Sequence, residues 1–164
     1  QILYGYVYQV TGIIITIFMA GLAVGSRYYL KIFPDLNILS FIKIQFIIGI
    51  FAIFLPLVFI FLKSYSHLDY LIHTFFFLLT LIVAILIGVE FSVASKLRKR
   101  SYSSIASNLY SVDMIGSAIG ALLVTTYLIP LLGIIKVCFL IAALNFISGS
   151  ISFIRRKKYL LSTI

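Results

Sequence analysis

The chain has 164 residues, enough for one domain, and it is 63% hydrophobic and 10% charged, with a net charge of +9. A soluble globular domain carries about 25% charged residues, so this composition excludes one. The positive charge does not mark a nucleic-acid binder either, because the cations cluster at the ends of apolar runs, where they act as topology signals.

The apolar runs predict a single all-α integral membrane domain over residues 1–164, crossing the bilayer with about five helices, each supplying the ~20 apolar residues that a crossing needs. A membrane barrel would need short alternating segments, which do not occur. Span one is expected over about 6–26. Its start shows no basic region of a signal peptide, and the opening Gln1 fits either a removed leader or a piece of a longer chain. Phe33-Pro34-Asp35 then marks a turn, since a residue before proline avoids the helical region. Span two is expected over about 38–62, with Pro56 kinking its outer end. Span three follows over about 70–95, after the polar turn Lys63 to Asp69. The basic turn Lys96 to Ser104 leads into span four, about 105–131. The link at Gly133 is so tight that span four and span five, about 134–154, should form an antiparallel hairpin.

Five spans place eleven cations on one face, namely Arg27, Lys31, Lys43, Lys96, Arg98, Lys99, Arg100 and Arg155 to Lys158, and two on the other, Lys63 and Lys136. Basic loops stay in the cytoplasm, so the N-terminus is expected outside and the C-terminus inside, in a multi-pass membrane protein.

Three charges fall in apolar runs at similar depth: Lys43, Glu90 and Asp113. Glu90 lies six residues before Lys96, about 9 Å along a helix at 1.5 Å per residue. A charge at the centre of a membrane helix costs at least ~2.5 kcal/mol, so these groups are expected to face protein, water or each other. They form a candidate ion-pair or transport site, with Asn145 the strongly polar residue deeper in span five. Glu90 and Asp113 are expected to be ionised, with at least one of them paired with Lys43 or with a cation of the basic turn. Asn145 is expected to hydrogen-bond across helices.

Asp113, Gly116, Ser117 and Gly120 recur at i, i+3, i+4 and i+7, so they share one face. Gly116 and Gly120, like Gly21 and Gly25, form the GxxxG pattern that lets helix backbones approach closely in lipid. These four glycines are candidate helix-packing residues, and spans one and four are expected to cross at them. Cys138 reads as apolar packing. His67 and His73 lie on different helical faces and do not form a haem pair. No metal-ligand spacing, phosphate loop or nucleophile triad occurs, so neither a metal nor a cofactor is expected.

Three stretches carry a family likeness: Gly88-Val89-Glu90-Phe91, then Leu109 to Gly120, which reads LYSVDMIGSAIG, then Leu128-Ile129-Pro130-Leu131-Leu132-Gly133. They resemble the membrane region of spermidine-synthase-like membrane proteins, bacterial proteins that fuse transporter-like helices to an aminopropyltransferase-type domain. Phe18 to Ser26 is similar to an earlier helix of that region, and Ala142-Ala143-Leu144-Asn145 to its closing helix. The family often has proline after the Glu-Phe pair, where Ser92 stands here. These residues contain no Gly-rich strand-to-helix turn for an adenosyl cofactor, so the family's enzymatic activity is not expected of them.

The reading is therefore a non-enzymatic membrane module, a scaffold or subunit of a larger assembly, whose partners are other membrane subunits or the rest of a longer chain. Its rivals are a transporter-like module with an inner-leaflet acidic site, and the membrane part of a spermidine-synthase-like enzyme.

Overall fold

A computed structural model describes the backbone of residues 5–34, 37–63, 69–97 and 102–161, and the side chains of 8–34, 37–61, 73–97 and 110–154. The described chain is helical: α1 spans Gly5–Ile32, α2 Ile38–Lys63, α3 Asp69–Leu97, α4 Tyr102–Leu123 and α5 Ile129–Leu161. A π-helical turn, Val124–Leu128, joins α4 to α5. Four described stretches are long and apolar enough to cross a membrane: Tyr8–Ile32, Ile38–Phe61, His73–Leu97 and Tyr110–Ile154.

The last of these is 45 residues long where the sequence predicts two spans. At 1.5 Å per residue, 45 helical residues would reach about 68 Å, against about 30 Å of hydrocarbon. Gly133 interrupts the run with φ 77° and ψ 160°, a conformation that a β-carbon would strain. Just before it, Pro130 can neither donate to the Thr126 carbonyl nor avoid its bulk, and the helix widens into the π turn. Within that turn Thr125 turns its hydroxyl back to the Ala121 carbonyl at 2.7 Å. The expected antiparallel hairpin does not pack as one. Among the described residues α4 makes no close backbone approach to α5, and α5 packs along α2 instead. Pro56 lies inside α2, which continues to Lys63.

α1 runs six residues past its expected end at Ser26. The Phe33 N–H closes the helix on the Tyr29 carbonyl at 2.8 Å, and Pro34 stops it. After the link, the Ser40 N–H donates to the Asn37 carbonyl at 2.8 Å to open α2. Phe33 itself turns inward. It is buried with Ile44, Val89 and Val93, and Tyr29, Phe41, Ile48, Leu86 and Leu97 pack around them. One side chain from the first link thus ties α2 to α3.

Two helix pairs make the body of the fold, α1 on α3 and α2 on α5, joined by a smaller contact between α2 and α3. The α1–α3 seam is a backbone approach. A β-carbon on Gly21 would lie 2.5 Å from Ala84 Cβ, one on Gly25 would collide with the Ile85 backbone, and one on Gly88 would lie 2.5 Å from the Leu22 carbonyl oxygen. The order of these contacts makes α1 and α3 parallel. The expectation that span one crosses span four is therefore corrected: the Gly21 and Gly25 face is covered by α3. A GxxxG pattern declares a flat face and does not name the helix that fills it.

The α2–α5 seam uses large rings instead. Phe146 sits against Gly49, and Phe46 against Gly149. The two rings themselves meet at 5.4 Å and 52°, a tilted arrangement that aromatic quadrupoles favour. These pairings make α2 and α5 antiparallel. The C-terminal ends of α1, α3 and α5 and the N-terminal end of α2 consequently lie at one end of the bundle, the end where Arg27, Lys31, Lys43, Lys96 and Arg155 to Lys158 fall in sequence.

The seam yields a direct contrast. Gly25→Val should lower stability by about 1–3 kcal/mol, the usual range for overpacking, or prevent folding outright, because the obstacle is backbone. Gly116→Val, in open space, should leave stability of the isolated chain nearly unchanged. Thermal unfolding followed by circular dichroism in one detergent measures both.

Candidate functional site

Several described hydroxyl and amide groups in the helices are satisfied within their own helix. Thr16 donates to Gly12 O at 2.8 Å, Thr80 to Phe76 O at 2.8 Å, and Ser117 to Met114 O at 3.0 Å. Such back-bonding hides a polar group in an apolar solvent without a neighbouring helix. Asn145 does the same: its Nδ2 donates to the Ile141 carbonyl at 2.9 Å, where an interhelical bond was expected.

Gln45 behaves differently. It is buried, 5% exposed, and its Nε2 donates to Glu90 Oε1 at 2.6 Å. This bond joins α2 to α3. It follows from how the seams fix the helices. Gly88 faces α1, and two residues further the helix has turned by about 200°, which aims Glu90 away from α1 and toward α2. Gln45 reaches it from α2, with its own Cβ 3.5 Å from the β-position of Gly149 on α5. An amide held between a glycine and a carboxylate has little freedom, so the Glu90 carboxylate is oriented.

Asp113 on α4 is exposed, yet close enough to Glu90 for their charges to interact. The structure therefore brings Gln45, Glu90 and Asp113 into one layer. It does not bring Lys43 to Glu90: Lys43 is exposed on α2, two residues from Gln45. Lys96 is exposed at the end of α3. Residues 98–101 of the basic turn and His67 lie outside the described residues. His73 is half-buried. Cys138 is buried at 8% exposure, among apolar residues of α5. Gly116 and Gly120 have nothing within 4 Å of their β-positions, so the small-residue face of α4 is open.

Gln45 is the member of this polar layer that a charge-based reading of the sequence passes over. The signal was present, since it is the one amide in the apolar run Ile38 to Lys63 and falls two residues after Lys43. Among the described residues no three His, Cys, Asp or Glu side chains converge as metal ligands. Chemically the layer offers two carboxylates and an amide, with the amide holding one carboxylate in place. That arrangement can bind or relay a cation or proton, or receive a donor from another helix. No protein-family model matches this chain, and neither does any curated protein or solved structure.

Replacing Gln45 with Leu removes the donor and leaves an oxygen of the half-buried Glu90 carboxylate without this partner. Gln45→Leu should therefore cost about 1–3 kcal/mol. Lys43→Gln should stay within about 0.5 kcal/mol, as expected of an exposed side chain that pairs with neither carboxylate. Equilibrium unfolding of the two variants in the same micelle decides the matter: a Lys43 effect as large as the Gln45 effect would restore the ion-pair expectation.

Proposed function

We propose that the chain is a non-enzymatic membrane module that serves as a scaffold or subunit, docking other membrane helices through α4. The observation that carries this reading is the open face of α4. Gly116 and Gly120 have clear space around them, and Val112, Ile115, Ile119 and Leu122 on the same helix are exposed. In α1 the equivalent small residues are covered by a helix, and that contact shows what such a face accommodates in this fold. Either another subunit or a further part of a longer polypeptide would supply the covering helix. The resemblance of Gly88 to Phe91, Leu109 to Gly120 and Leu128 to Gly133 to spermidine-synthase-like membrane proteins favours the second source, with the aminopropyltransferase-type domain as the soluble portion.

A transporter-like module is the second reading, and the Gln45–Glu90–Asp113 layer favours it. A carboxylate held by an amide and a second carboxylate in electrostatic range are the groups that an inner-leaflet proton or cation site would use. The readings separate on variants. Gly120→Leu should abolish copurification of membrane partners while sparing the stability of the isolated chain. Glu90→Gln should spare copurification and, under the transporter reading, abolish proton-coupled uptake in proteoliposomes. A chain that purifies as a stable monomer with no partner from its native membrane would count heavily against the scaffold reading.

The proposed topology is five crossings in a bacterial inner membrane, with the stretch 110–154 crossing twice through Gly133 and the basic bundle end in the cytoplasm. The cation asymmetry, eleven against two, supports it. In a Cys138→Ser background, an impermeant thiol reagent added from outside should modify Ser66→Cys and leave Ser103→Cys untouched. The reverse labelling pattern would invert the topology.

A further inference from the structure

We infer that the α1–α3 seam binds one anionic phospholipid, with its headgroup on Arg27 and Lys31 and an acyl chain in the groove below them. Among the described residues α3 is the helix whose backbone comes close to α1, and α1 is exposed at Ala20, Val24, Arg27, Tyr28 and Lys31 on the side turned from it. On that surface Ile17, Ala20, Val24, Arg27, Tyr28 and Lys31 recur at i, i+3, i+7, i+10, i+11 and i+14, which places them on one face. The stripe is apolar at its deep end and cationic at its upper end. Tyr28 stands between, 46% exposed, with the Lys31 ammonium 5.0 Å from its ring centroid. The ring holds the Lys31 side chain along the helix at the level where an amphipathic aromatic is stable.

The deep end opens into a groove of about 380 Å³ between the two helices, lined by Ile17 and Ala20 from α1 and by residues including Thr74, Phe75, Leu78 and Leu81 from α3. From Ile17 to Lys31 is 14 residues, about 21 Å at 1.5 Å per residue. Half of a bilayer, headgroups included, is also about 20–22 Å. A phosphate at Lys31 would therefore run its acyl chain past Val24 and into the groove near the bilayer midplane. The charge is complementary as well. α1 contains no acidic residue, and on α3 Lys96 falls five helical turns above Leu78, on the groove side, and is exposed. A zwitterionic lipid would fill the groove equally well and gain nothing from the net positive charge at its head, so the occupant is anionic.

The test uses the full chain in mild detergent, titrated with phosphatidylglycerol or with phosphatidylcholine of the same acyl chains, and reads the thermal midpoint and the lipid retained by native mass spectrometry. Phosphatidylglycerol should be retained one per chain and should raise the midpoint, whereas phosphatidylcholine and inorganic phosphate should do neither. At about 1 kcal/mol per cation near an anionic surface, Arg27→Gln combined with Lys31→Gln should weaken phosphatidylglycerol about 10- to 30-fold. The charge-preserving pair Arg27→Lys and Lys31→Arg should retain it, as should Lys136→Gln at the opposite end of the bundle. Ala20→Trp, which fills the groove from the lipid side, should weaken long-chain phosphatidylglycerol while keeping the helical spectrum. Equal retention of the two lipids by the unaltered chain, or unchanged phosphatidylglycerol binding by the double Gln variant, would overturn the assignment.

Discussion

Helices in lipid gain little from hiding apolar surface from each other, because the tails around them are just as apolar. What holds them is close packing and the few polar contacts they can share. In this protein that constraint falls on the α1–α3 seam. At Gly21, Gly25 and Gly88 the two backbones approach so closely that a β-carbon at any of the three would meet carbonyl, amide or side-chain atoms of the other helix. The buried set is correspondingly small-grained. Ala52, Ala84 and Ala142 join four valines and two isoleucines, and the large rings mostly stay at the edges of the seams. The second pair, α2 with α5, solves the same problem differently, by placing a phenylalanine of each helix over a glycine of the other.

The polar layer depends on those seams. Glu90 is aimed because Gly88 is pinned, and Gln45 is confined because Gly149 lets α5 come close behind it. Neither residue could be relocated by a side-chain rotation alone. The hydrogen bond between them also adds an orienting link across the weakest junction of the body, that between α2 and α3. Phe33 adds an apolar link near the same junction, through Ile44, Val89 and Val93. One polar and one apolar contact within a turn or so of each other give the two helix pairs a defined mutual angle, which a purely greasy interface would leave loose.

Length and the apolar runs made the helices legible, and the ends of α2 and α3 fall within two residues of the positions read from sequence. The end of α1 did not, because Tyr29 and Phe33 extend the helix to reach the core, and their tertiary contacts outweigh the polar look of Arg27 to Lys31. The chemistry of the site was legible in its charges and illegible in its pairing. Periodicity puts Asp113 and Gly116 on one face but is silent on what lies opposite. The two amides show why residue type alone is insufficient. Asn145, with its own Ile141 carbonyl in reach, bonds locally, while Gln45 has a carboxylate across the interface and uses it.

The loose seating of α4 has an electrostatic side as well. Its contact with α3 is small, and Asp113 on α4 lies within electrostatic range of Glu90 on α3. Two ionised carboxylates repel, and the repulsion grows as water is excluded from between them. Pressing α4 onto α3 would therefore be opposed unless a proton, a cation or a donor side chain stood between the two groups. The π turn and Gly133 lie between α4 and the part of α5 that packs on α2. Bringing α4 against α3 and neutralising the acidic layer are therefore linked. A covering helix that brings a basic residue to Asp113 would accomplish it permanently, whereas a bound proton or cation would accomplish it reversibly. The scaffold and transporter readings differ in which of these neutralises the layer, and in both the Gln45 amide orients the Glu90 carboxylate.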